Sequence, residues 1–147
     1  MIDTQLLIDL VSTAEADGVQ QLVVGAVIIH EERVLLLKRP GDDFMGGIHE
    51  LPSGKVEPGE ALEVGLAREV TEEAGLVVSA IGAYLGYFDY TSGSGKLSRQ
   101  FTFVVEVETT EPVVLTEHDE FTWAPLEEEL PVTDAVNAVL NTYTATR

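Results

Sequence analysis

Three glutamates, Glu69, Glu72 and Glu73, stand at i, i+3 and i+4 in the stretch Arg68-Glu-Val-Thr-Glu-Glu-Ala-Gly75. At helical spacing their side chains share one face. Like charges that close repel and destabilise a helix, so something cationic must offset them. Carboxylate oxygens are hard ligands that suit Mg²⁺, Mn²⁺ or Ca²⁺. A divalent ion beside the loop Gly54-Lys-Val-Glu-Pro-Gly59 is a place to hold and cleave phosphates. Arg68 lies one turn before Glu72 and can pair with its carboxylate. The plainer reading is a solvated face, since glutamate-rich helices are usually that, with Arg68 a surface pair worth under about 1 kcal/mol.

The helix that carries these acids can be read locally. Pro58-Gly59 signals a turn, and Glu60 and Glu63 put acid in the first turn, where the helix dipole favours it. Leu62, Leu66, Val70 and Ala74 recur every four residues and form a stripe to bury. Gly75 supplies the stop. The helix therefore has one apolar edge and one acidic edge, and the acidic edge must face solvent or a cleft.

The stretch 54–76 resembles the Nudix box, G-x5-E-x7-R-E-U-x-E-E-x-G-U with U aliphatic. Gly54, Glu60, Arg68, Glu69, Val70, Glu72, Glu73, Gly75 and Leu76 fill every fixed position. A solvated helix has no need of glycines at both ends at those spacings. The resemblance implies a metal-dependent hydrolase of a nucleoside diphosphate linked to another group, using Mg²⁺ or Mn²⁺. It implies Glu69, Glu72, Glu73 and the Gly54 carbonyl as metal ligands. Arg68 would orient a ligand carboxylate, and Glu60 would brace the loop-helix-loop. Its fold would be an α/β/α sandwich with a mixed sheet, and the resemblance covers roughly residues 20–145. The general base is open among Glu69, Glu72 and a loop glutamate.

Length and composition are consistent with one domain. The chain has 147 residues, enough to bury a core, and no cysteine, which excludes disulfides and thiolate zinc sites. With 8 Lys and Arg against 26 Asp and Glu, the formal charge is −18. That surface repels polyanions, so nucleic-acid polymers and anionic membranes are not expected partners. A small anionic substrate would need metal ions as its bridge, with a few local bases. No secretory signal or membrane-length apolar run is visible, so a cytoplasmic protein is expected. Many relatives by resemblance are homodimers, but the sequence does not establish one here.

Along the chain, residues 2–17 read as a helical extension that caps the domain or meets a partner. Leu22–Ile29 reads as a buried strand, the four residues from His30 to Arg33 as a tight turn, and Val34–Lys38 as its partner strand. Residues 41–47 read as a polar loop and Ile48–Pro52 as a short strand. Val77–Tyr90 and Ser98–Glu108 read as a long hairpin, with Phe101 and Phe103 on its buried face. A short strand follows at Phe121–Ala124, then a last helix starting at Pro131 with Val132, Val136, Val139 and Leu140 inward.

Several residues outside the box are candidates for the site. Glu117 stands six residues before Trp123, as a comparable glutamate does in MutT-like enzymes, and Glu120 is the second choice for this loop carboxylate. A solvated acidic loop is the alternative. His49 and Ser53 depart from the frequent family stretch Trp-Glu-Leu-Pro-Gly-Gly. His49 could contact phosphate or base, or be structural, and Glu50 could support the metal cluster. Arg39 and Lys55 are the nearest bases and could hold a terminal phosphate. Lys96 and Arg99 could clamp substrate from the Thr91–Gly95 turn. Phe44, Tyr84, Tyr87, Phe88 and Tyr90 are candidates to stack on a base. The expected reaction cleaves a nucleoside triphosphate, oxidised ones included, to a monophosphate and pyrophosphate. A nucleotide sugar or ADP-ribose is the alternative substrate; a non-hydrolytic nucleotide sensor is the alternative class.

Overall fold

The computed structural model describes residues 2–39, 48–118, 120–128 and 130–146. The expected loop at 41–47, with Phe44, lies outside them. Helix α1 (Thr4–Ala16) opens the fold, capped by Asp3, whose side chain accepts from the Gln5 N–H at 3.0 Å. Strands β1 (Gln21–His30) and β2 (Arg33–Lys38) follow, joined through Glu31 and Glu32 at φ 51° and 65°. Positive φ at both central residues gives the twist that a two-residue hairpin needs. Next come β3 (His49–Glu50), β4 (Ser53–Lys55), α2 (Leu62–Ala74), β5 (Val78–Thr91), β6 (Leu97–Val107), β7 (Glu120–Pro125) and α3 (Asp134–Thr146).

The sheet is mixed, and β1 is its axis. One edge of β1 runs parallel to β6 along residues 21–28; the other pairs antiparallel with β4 and then with β2. Strand β5 extends the sheet beyond β6, while β3 and β7 flank β2. Both faces of β1 are covered, which explains its unbroken apolar run. Val24, Ala26, Ile28, Phe101 and Phe103 pack on one side with Leu7 and Ala14 of α1 and with Leu62, Leu66, Val70 and Ala74 of α2. Val27, Leu36, Leu51 and Leu85 pack on the other with Val136, Val139 and Leu140 of α3. The result is the expected α/β/α sandwich. Among the described residues no helix is long and apolar enough to cross a membrane.

Three local expectations are corrected. Glu60 lies before α2, not in its first turn. Helix α3 begins at Asp134, not at Pro131, because Thr133 caps it, its hydroxyl accepting from the Val136 N–H at 3.3 Å. Strand β4 was not expected: Ser53, Gly54 and Lys55 read locally as loop but pair with Gly25, Val24 and Val23 of β1. That pairing places the start of the glycine-containing stretch directly beside the acidic helix.

Candidate active site

Arg68 organises the N-terminal half of α2. Its Nε and Nη2 donate to Glu60 Oε2 and Oε1, both at 2.8 Å. Nη2 also donates to the Lys55 carbonyl at 3.0 Å, and Nη1 to Glu69 Oε1 at 2.9 Å and Glu72 Oε2 at 3.1 Å. A guanidinium has five donors, and all have an acceptor here. The expected Glu72 bond is the longest of the five, and Glu60 is the bidentate partner. A Cβ on Gly65 would come within 2.9 Å of Glu60 Oε1, so the glycine makes room for that carboxylate. The Arg68 bonds, with an N–H donated by Glu57, hold the Glu60 pKa down at about 2.

The acidic edge behaves oppositely. Burial pushes the Glu69 carboxyl above its ordinary pKa, the charges of Glu72 and Glu117 add to the push, and Arg68 only partly counters it. Glu69 lies against Gly54, where any Cβ would collide with its carboxylate. Glu73 is 8 % exposed and accepts from the Ser53 N–H at 2.7 Å. Burial is the largest cause raising its pKa, helped by the charges of Glu50 and Glu69 and opposed by the Ser53 bond and His118. Burial first, and neighbouring carboxylates second, thus make ionisation at Glu69 and Glu73 costlier than in water.

These groups open onto a cleft of about 860 Å³, within the size range of small-molecule sites. Gly54, Lys55, Glu69, Glu72, Glu73 and Glu117 line it, as do Arg39 and His49. Arg39 Nη1 donates to Glu50 Oε1 at 3.0 Å. Lys55 is exposed at the cleft wall. His49 is held towards its neutral form, first by burial and then by Lys38, and its Nδ1 is buried with no hydrogen-bond partner.

Glu120 and the two expected substrate clamps, Arg99 and Lys96, are not brought into the cleft. Glu120 begins β7, exposed and opposite Lys38. Arg99 is 4 % exposed and spent on other partners. It grips Asp89 through Nε and Nη2 at 2.7 and 3.0 Å, reaches Asp17 at 2.9 Å, and lies 4.2 Å from the Tyr87 ring centre. Buried, and with each of its three nitrogens bonded to a carboxylate, it is not available to a phosphate in the cleft. Lys96 is also absent from the cleft lining. Of the stacking candidates, Phe88 and Tyr90 line the cleft, while Tyr84 and Tyr87 pack on Phe103 and Phe101.

The donors at the acidic edge fit a hard divalent cation in kind, since all are carboxylate oxygens and those of Glu69 and Glu73 are partly buried. Arg68 stands between Glu69 and Glu72, however, and among the described residues no three His, Asp or Glu side chains are gathered closely enough to hold an ion.

Two cleft residues went unrecognised in the sequence. His118 is buried between Glu50 and Glu73, with Nε2 2.7 Å from Glu50 Oε2 and Nδ1 3.9 Å from Glu73 Oε2. Its partners are 68 and 45 residues away, so no local spacing flags it. Gln100 is 6 % exposed on the cleft floor, where its amide lies so close to Gly25 that a Cβ there would clash. Its alternation with Phe101 and Phe103 was the available signal.

A family model described as NUDIX domain matches residues 19–142. The chain is 38% identical over 63 residues to the CTP pyrophosphohydrolase of Escherichia coli, covering 43% of this chain and 46% of that protein. It is 41% identical over 68 residues to a putative 8-oxo-dGTP diphosphatase 2 of Mycobacterium tuberculosis, covering 45% of this chain and 48% of that protein. The chain spans about half the length of these curated relatives. A crystal structure of a MutT protein from Methanosarcina mazei superposes with TM-score 0.74 at 28% identity, covering 86% of this chain and 94% of that one.

Proposed function

The chain belongs to the NUDIX domain family, and from that premise we propose that it is a pyrophosphohydrolase of nucleoside triphosphates, oxidised ones included. The observation that carries this reading is the convergence of Glu69, Glu72, Glu73 and Glu117 on one cleft with Gly54 and an aromatic wall. The names of the two curated relatives, for CTP and 8-oxo-dGTP, support a triphosphate.

Glu69, Glu72, Glu73 and the Gly54 carbonyl would hold Mg²⁺ or Mn²⁺. Such an ion supplies positive charge against phosphoryl oxygens and acidifies water beside them. Arg68 orients Glu69 and Glu72, and Glu60 fixes Arg68. Glu117, the loop carboxylate on the cleft lining, would take a proton from the attacking water. Water adds to phosphorus, the P–O–P bond breaks, and a monophosphate and pyrophosphate leave. Lys55 and Arg39, both on the cleft lining, would take the terminal phosphates. Phe88, Tyr90 and the Gln100 amide offer the nucleoside a stacking wall and a polar floor. The net charge of −18 favours a small substrate over a nucleic-acid polymer, and the proposal places the protein in the cytoplasm, where nucleotides are available.

The test is a substrate panel: the purified protein with Mg²⁺ and each of CTP, dGTP, 8-oxo-dGTP, ADP-ribose and a nucleotide sugar, with products separated by chromatography. Monophosphate and pyrophosphate from a triphosphate are expected. Turnover of ADP-ribose or the sugar alone would reject the substrate class. Tight binding of a nucleotide without any product would reject the enzyme.

A further inference from the structure

The loop that carries Glu117 is fastened on both sides of that residue. On one side the Thr116 hydroxyl donates to the Glu72 backbone carbonyl at 2.9 Å, tying the loop to α2. On the other, His118 Nε2 meets Glu50 Oε2 at 2.7 Å, with the histidine side chain 4 % exposed. Glu50 is itself fixed. It belongs to β3, pairs in register with Leu37, and receives Arg39 Nη1 on its other oxygen at 3.0 Å. The chain is therefore pinned to the acidic helix just before Glu117 and to the edge of the sheet just after it. Glu117 lines the same cleft as Glu69, Glu72 and Glu73.

We propose that His118 is a positioning residue: its bond to Glu50, paired with the Thr116 anchor, holds Glu117 over the acidic edge of α2. This rests on the cleft being a pyrophosphohydrolase site. The physical case is one of geometry. A displacement of about 1 Å at a reacting group can cost about 10²-fold in rate, and a loop held at one end only would let Glu117 swing by more than that. Nδ1 has no hydrogen-bond partner, so the ring fastens the loop through Nε2 alone. The role asks for one N–H donor at that point and for nothing else of an imidazole. Its contact with Glu50 also explains why Glu50, although it lines the cleft, has both oxygens engaged and is committed to holding the loop.

A double-mutant cycle tests this. His118→Leu removes the donor, His118→Gln keeps an N–H at the place of Nε2, and Glu117→Gln removes the carboxylate being positioned. With saturating Mg²⁺ and the best substrate of the panel, His118→Leu and Glu117→Gln should each lower kcat by about tenfold or more, with KM within about threefold. His118→Leu on top of Glu117→Gln should cost less than about threefold further, since coupled residues are not additive. His118→Gln should return kcat to within about threefold of the wild type. Losses that multiply, or a glutamine variant as impaired as the leucine one, would overturn the proposal. If His118→Leu does not fold, Thr116→Val loosens the other anchor and should show the same non-additivity with Glu117→Gln. Should the wild type turn over nothing, the reading of the site as an enzyme fails separately. The positioning claim is then read from amide exchange at residues 116–118: exchange about tenfold faster in His118→Leu, with His118→Gln at the wild-type rate, sustains it, and exchange unchanged in His118→Leu or equally fast in both variants overturns it.

Discussion

Arg68 and Arg99 are each enclosed by carboxylates, yet the two clusters differ in what they leave over. Arg99 meets two, Asp89 and Asp17, under the Tyr87 ring, and is 4 % exposed. Arg68 hydrogen-bonds three, Glu60, Glu69 and Glu72, has Glu57 as a fourth at 3.9 Å, and remains 24 % exposed. Next to Arg68 stands a further acid, Glu73, that no arginine reaches through any described bond and whose pKa is raised by burial. The Arg99 cluster closes on itself and ties the end of α1 to β5. The Arg68 cluster has surplus negative charge aimed into a cleft. In a chain with so few bases, this difference separates a structural tie from the edge to which the proposed function assigns an external cation.

Substitutions can break this contrast. The largest effect is expected at the acidic edge. Glu69→Gln keeps the shape and removes a charge; kcat should fall by about 10²-fold or more, measured at saturating Mg²⁺, with little change in thermal midpoint. Arg99→Leu should do the reverse. Removing one partner of a fully buried pair costs about 3–5 kcal/mol; here both aspartates are 37–47% exposed, so about 2 kcal/mol in urea unfolding is expected, with activity per folded molecule unchanged within about threefold. A strong loss of activity at normal stability in Arg99→Leu would put that residue back in the site.

The Arg99 tie should also carry a pH signature. Its hydrogen bonds hold the Asp89 carboxyl below the ordinary value of 3.8. A depressed carboxyl contributes stability that is fully present above 3.8 and is lost as pH falls below it. The difference in thermal midpoint between wild type and Arg99→Leu should therefore be constant from neutral pH down to about 4 and narrow at lower pH. A difference that widens on acidification would contradict the assignment. The smallest effect is expected at Asp17→Asn: the aspartate is 47% exposed, and under about 1 kcal/mol should be lost.

The same contrast explains what the sequence disclosed. Glu69, Glu72, Glu73 and the stripe Leu62, Leu66, Val70 and Ala74 are one helix read at its own period, so local spacing was enough to place them on opposite edges. Gly75 was legible for the same reason: it ends α2 at φ 71°. Arg99 was misread because its partners come from α1 and β5, 82 and 10 residues away. A base near a glycine-rich turn looks available until the fold supplies its acids. Strand β4 was hidden because Ser53, Gly54 and Lys55 have weak strand propensity of their own, and it is the free edge of β1 that makes them a strand. His118 was hidden likewise, since its place between Glu50 and Glu73 exists only once β3, α2 and the 116–118 loop are brought together.

Under the proposed function the acidic edge of α2 is completed by a divalent ion. Calorimetric titration of Mn²⁺ into the wild type, Glu73→Gln and Arg99→Leu tests it most directly. Uptake by the wild type and by Arg99→Leu with matching affinity is expected, and at least about tenfold weaker binding in Glu73→Gln. Equal affinity in all three proteins, or no uptake by the wild type with or without nucleotide, would contradict it.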